Sequence, residues 1–83
     1  MRFTATVDVS LRPGIADPEG ATIERALPAL GISSVTKVRA GQSFVFDVEA
    51  ASADEATAIA TDLATRLLAN PVIEDSTVRV EAR

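Results

Sequence analysis

Carboxylates dominate the residues that could do chemistry: Glu74 and Asp75 stand side by side between two elements, and Asp17 or Asp54 could join them around a divalent cation. A hard cation wants about six oxygen ligands, and neighbouring residues on a strand point to opposite faces. Glu74 and Asp75 therefore cannot both grip one ion without a bulge, and solvated surface carboxylates are the better reading. The run Arg39-Ala40-Gly41-Gln42 could turn backbone amides toward an anion, but one glycine in a hairpin is a weak signal and a plain turn explains it. Glu19, Glu24 and Arg25 read as the wet face of a helix with local pairing. The chain contains no His, Cys or Tyr, so it lacks the usual general base near neutral pH, any thiolate and any Cys-bound metal. No nucleophile stands beside a base. The residues thus nominate no catalytic group, no bound cofactor and no metal ligand, and the chain alone is expected to do no chemistry.

The 83 residues make one domain spanning 1–83, small beside the roughly 100 to 150 residues of a typical domain. A domain this size hides only about 60% of its unfolded surface, and its apolar side chains are mostly Ala and Val, with three Phe and no Trp. Such a thin core predicts self-association into a homodimer or something higher. A net charge of −4 with eight scattered basic residues argues against nucleic acid, which needs Lys and Arg gathered on one face. No apolar run approaches the ~20 residues that cross a bilayer, and Met1-Arg2-Phe3-Thr4 reads as a strand rather than a signal peptide. The expectation is a soluble cytoplasmic protein with no membrane contact.

The elements that would position these residues follow from periodicity. Phe3, Ala5, Val7, Val9 and Leu11 alternate with Arg2, Thr4, Thr6, Asp8 and Ser10, a half-buried strand over residues 2 to 11. Asp17 caps a helix with Pro18 in its first turn. Ile23, Ala26, Leu27 and Leu30 form its apolar stripe, and Gly31 fits the left-handed position beyond its end. Pro28 is a misfit that should kink or shorten this helix. Residues 35 to 39 and 43 to 49 read as an antiparallel hairpin joined by Ala40-Gly41-Gln42, with the second arm central in the sheet. Ser52 and Glu55 form a capping box for a second helix over about Ala53 to Ala69, whose inner face is Ala56, Ile59, Ala60, Leu63 and Leu67. Pro71 ends it, pushing Asn70 out of the helical region. Ile73 is expected to be core, and Val78 and Val80 mark the last strand.

The order strand-helix-strand-strand-helix-strand is the split plan of ferredoxin-like domains. It predicts an α+β fold, a four-stranded antiparallel sheet with both helices on one face. The other face, carrying Thr4, Thr6, Asp8, Lys37, Arg39, Asp47, Arg79 and Glu81, is polar enough to meet water.

Taken together, Asp17-Pro18-x-Gly20, Ala26-Leu27-x-x-Leu30-Gly31, Val38-Arg39-x-Gly41 and the block Leu67-Leu68-Ala69-Asn70-Pro71-Val72-Ile73-Glu74-Asp75 resemble one family, PurS, the small subunit of phosphoribosylformylglycinamidine synthase. The resemblance runs through essentially the whole chain, and the block from Leu67 to Asp75 is its most specific part. It implies membership of a purine-biosynthesis complex in which a glutaminase, PurQ, frees ammonia from glutamine. A synthetase, PurL, uses ATP and Mg to activate the amide oxygen of formylglycinamide ribonucleotide, and ammonia displaces phosphate to give the amidine. PurS is implied to be a non-catalytic dimer that bridges PurL and PurQ and assists ammonia transfer, binding no cofactor itself. The candidate subunit-contact residues are Arg39, Gly41, Gln42, Asn70, Pro71, Glu74 and Asp75.

Two positions depart from the family pattern. Gln42 stands where Lys is usual and Ser76 where an aromatic residue is usual, which would remove a charge or a stacking contribution from any subunit contact there. The rival reading is a stand-alone ACT-like module that binds a small molecule, suggested by the turn Arg12-Pro13-Gly14 after the first strand; its ligand should sit by that turn at a dimer interface.

Overall fold

The computed structural model describes residues Met1 to Arg83. Strand β1 covers Arg2–Leu11, helix α1 Pro18–Ala26, strand β2 Gly41–Glu49, helix α2 Ala53–Leu63 and strand β3 Glu74–Ala82. The sheet is antiparallel in the order β2-β1-β3. The α+β class is as expected, but the sheet has three strands rather than four, and β2 is an edge while β1 is central.

The missing strand has an identifiable cause. The amide of Val38 donates to the Glu24 carboxylate at 3.0 Å and that of Ala40 to Asp17 at 2.8 Å, so carboxylates at and on α1 take donors that a hairpin would need. Lys37 adds a left-handed φ of 57°, which interrupts an extended run. Residues 32 to 40 therefore cross the start of α1 as a strap, and Ala40-Gly41-Gln42 is the entry to β2 rather than a hairpin turn. Gly41 suits that entry because a Cβ there would lie 2.7 Å from the Val9 carbonyl oxygen.

The inner face of the sheet is built in rows across the three strands. Val48, Phe3 and Ala82 make one row, Phe46, Ala5 and Val80 the next, then Phe44, Val7 and Val78, and last Gln42, Val9 and Ser76. Against it α2 and the wider turn that continues it lay Ala56, Ala60 and Ala64, all fully buried. This row of small residues lets the helix backbone approach the sheet closely; Ala56 and Ala60 belong to the expected inner face, while Ala64 joins them and the larger residues do not. Ile59 and Leu67 stand 42% and 73% exposed, with Leu63 half-buried. The helix starts as expected, with the Ser52 hydroxyl accepting the Glu55 amide at 3.1 Å.

Beyond Leu63 the helix widens into π turns over Ala64–Leu68, closed by the Ala69 amide donating to the Ala64 carbonyl at 2.9 Å. An α-helix of 3.6 residues per turn drifts about 40° every four residues, which would carry the inner row off the sheet. The wider turn offsets that drift, and Leu68 and Ala69 pack on the cluster of Val7, Val9 and Ala64. The helix stops at Ala69, which is extended at φ −117°, as Pro71 predicts. Ile73 is only half-buried and belongs to neither core cluster.

α1 begins at Asp17 and ends before Pro28, which opens a single 3-10 turn over Pro28–Leu30 closed by Gly31 at φ 75°. It has at most glancing contact with the sheet. No helix is long and apolar enough to cross a membrane.

Candidate functional site

All seven contact candidates lie at one end of the sheet, although they come from three separate segments. Arg39 precedes β2 and Gly41 and Gln42 open it; Asn70 and Pro71 form the turn after α2; Glu74 and Asp75 open β3. The strand pairing places Gly41 and Asp75 on either side of Ser10, with Glu74 opposite Leu11. The departures Gln42 and Ser76 flank Val9 in the adjacent row, so they share one polar step at the margin of the apolar face.

Arg12 fastens this end to the turn. Its backbone amide donates to the Ile73 carbonyl at 2.8 Å, and its guanidinium donates to the Pro71 carbonyl at 2.5 Å. The same group pairs with the Asp75 carboxylate at 3.2 Å. Inside the turn, the Asn70 amide donates to the Glu74 carboxylate at 2.7 Å and the Asn70 side-chain oxygen accepts the Val72 amide at 3.0 Å. Glu74 and Asp75 are thereby committed to an amide and a guanidinium respectively, and no three acidic groups gather where a metal ion could sit.

Arg39 fastens the other side. Its guanidinium donates to the carbonyls of Leu11 and Ile15 at 3.2 Å and of Arg12 at 3.3 Å. Asp17, beyond its expected role as the α1 cap, holds the strap: its carboxylate accepts the amides of Gly20 and Ala40, each at 2.8 Å, with Arg39 3.8 Å away. Those two amide bonds, and then the Arg39 charge, hold its carboxyl below the usual range against the opposing effect of burial. The Ala40 amide is therefore engaged by Asp17 and is not presented to an anion. Gly20 makes the crossing possible, since the strap's Val38 carbonyl lies where a Cβ would be.

Between the two fastenings lies a shallow cleft of about 310 Å³, lined by Val9 to Leu11, Asp17 to Glu19, Ala40 to Gln42 and Glu74. It presents backbone groups, the Ser10 hydroxyl and three carboxylates, of which Asp17 and Glu74 are held by backbone amides. Arg12 and the second role of Asp17 are absent from the candidates drawn from the sequence. The run Arg12-Pro13-Gly14 reads as a strand break, and nothing in its spacing points to a turn 59 residues away.

The family described as "PurS: Phosphoribosylformylglycinamidine (FGAM) synthase" matches residues 4–82. The Archaeoglobus fulgidus phosphoribosylformylglycinamidine synthase subunit PurS is 43% identical over 70 residues, covering 84% of this chain and 88% of its own. Thermus thermophilus PurS superposes with a TM-score of 0.89 at 33% identity, over 100% of this chain and 99% of that one. A chain in the structure of PurLQS from Thermotoga maritima gives 0.88 at 38% identity, over 96% and 98%.

Proposed function

Because this chain belongs to the PurS family of phosphoribosylformylglycinamidine synthase subunits, we propose that it is the non-catalytic member of a cytoplasmic complex, holding PurQ against PurL so that ammonia freed from glutamine reaches the amidine-forming site. The observation that carries this reading is the convergence of three segments on one fastened, polar end of the sheet. Arg12, Arg39 and Asp17 direct hydrogen bonds to the backbone of these segments. A rigid platform loses little conformational freedom when a partner docks. ATP and Mg belong to the PurL reaction in this scheme, in which PurL activates the amide oxygen and ammonia displaces phosphate. The PurLQS structure from Thermotoga maritima supports the choice of partners.

The test compares nitrogen donors. PurL is assayed with high ammonium chloride, and separately with glutamine plus PurQ, each with and without this chain. A large loss on omission confined to the glutamine reaction is the expected result. An equal loss in the ammonia reaction would mean that the chain maintains the PurL active site, and the holding role would be wrong. An ACT-like module would leave both rates unchanged.

A further inference from the structure

The end of the second helix carries apolar residues for two different registers. An α-helix turns by about 100° per residue, so in unbroken α geometry Leu67, seven residues past the buried Ala60, would point within about 20° of it and face the sheet. Leu68 would lie about 80° off that direction and Ala69 on the far side. The structure shows the reverse. Leu67 is exposed, whereas Leu68 and Ala69 are half-buried and pack on Val7, Val9 and Ala64. The exchange turns on one bond: in an α turn the Ala69 amide would donate to the Thr65 carbonyl, but here it donates to that of Ala64. The junction is visible one turn earlier, where the Ala64 amide is shared between the carbonyls of Ala60 and Thr61.

Either register sets a leucine against the sheet, so packing alone does not select the wide turn, which is the rarer geometry. The selection comes from beyond the helix. The Arg12 guanidinium holds the Pro71 carbonyl at 2.5 Å, the Arg12 amide holds that of Ile73 at 2.8 Å, and the Asn70 amide reaches Glu74 at 2.7 Å. Rewinding to an α turn changes the register by one residue, displacing the start of this turn by about 1.5 Å along the axis and swinging Ala69 off the sheet. The Arg12 bonds to Pro71 and Ile73 cannot survive that movement.

We propose that the helix end and Arg12 form a two-register switch. With the Arg12 clamp closed, the turn is wide and Leu67 is displayed; with the clamp open, the helix rewinds, buries Leu67 and turns Ala69 outward. Each register has its own bond set and its own inward leucine, which makes the element bistable rather than loose. The clamped turn carries Asn70, Pro71, Glu74 and Asp75, so under the proposed function a partner docking there grips the lock itself. The register is nevertheless a property of the chain alone. Its test needs neither PurL nor PurQ, and it can fail while the holding role stands, or stand while that role fails.

The sequence has no Cys, so Leu67→Cys and Ala69→Cys, made singly, report the two sides of the helix end. Each is placed in the otherwise wild-type chain and beside Arg12→Ala, and labelled with a small maleimide under native conditions at equal protein concentration. Removing Arg12 should slow labelling at position 67 and speed it at position 69, each by about fivefold, the shift that a clamp of exposed bonds can impose on an equilibrium. Simple loosening would speed both positions. Any result other than opposite shifts at the two positions would overturn the proposal. Leu67→Asp gives a second reading, because a carboxylate resists burial in the α register. Added to the chain with Arg12→Ala and Ala69→Cys, it should return labelling at position 69 to the slow rate, and a rate that stays fast would overturn the switch as well.

Discussion

Gly20→Ala sets two magnitudes against each other. Gly20 is the buried residue of α1, and in a helix interior alanine is favoured over glycine by up to about 1 kcal/mol. Propensity alone therefore predicts stabilisation. The added Cβ, however, would lie 2.4 Å from the Val38 carbonyl oxygen and 3.0 Å from Asp17 Oδ2, where ordinary contact begins at 3.4 Å. The strap must retreat by about 1 Å, and it is held by the amide bonds of Val38 and Ala40 to α1 and its cap. Overpacking of this kind costs about 1 to 3 kcal/mol, so set against the propensity gain a net loss of about 1 kcal/mol is expected. In urea a small protein loses about 1 kcal/mol per molar, and the midpoint should fall by about 1 M. Wild type and variant are compared at equal protein concentration, because association contributes to apparent stability. A midpoint that rises would show that the strap does not press on α1, and the account of how the site is fastened would fail.

Three further perturbations probe the same framework. Asp17 is held below its usual pKa, so its stabilising contribution is present above the unfolded pKa and is lost as pH falls through the folded one. Asp17→Asn should then be less stable than wild type near pH 7, with urea midpoints that converge in strong acid; a gap of constant size would refute the assignment. Phe3 is 2% exposed in the main cluster, and Phe3→Ala should cost about 3 to 5 kcal/mol, read as a collapse of the thermal transition. Arg12→Ala removes only exposed pairings, worth at most about 1 kcal/mol of global stability. It should nevertheless speed amide exchange around Val72 to Glu74 and lower the glutamine-dependent rate, and unchanged exchange would show that the turn stands without its clamp.

Much of the fold is legible in local pattern. The alternation of β1, the cap at Asp17, the stops at Pro28 and Pro71 and the start of α2 at Ser52 all depend on neighbours in sequence. The errors arise where distant groups decide. Residues 35 to 39 have the composition of a strand, but Glu24 and Asp17 capture the donors of Val38 and Ala40. On α2 the larger apolar residues Ile59 and Leu67 outrank alanine by hydrophobicity, yet close approach to the sheet selects Ala56, Ala60 and Ala64. Periodicity reports an apolar sector but cannot say which edge of it a sheet prefers. The candidate residues are legible as types, while their meeting at one end of the sheet depends on a register that only the paired strands fix.

In the proposed role this chain brings two enzymes together. Sedimentation of PurL and PurQ, with glutamine present and with or without the chain, measures that directly. The account predicts one fast-moving species containing all three chains, and separate PurL and PurQ boundaries when this chain is left out. Co-sedimentation of PurL with PurQ in its absence, at the same concentrations, would contradict the account.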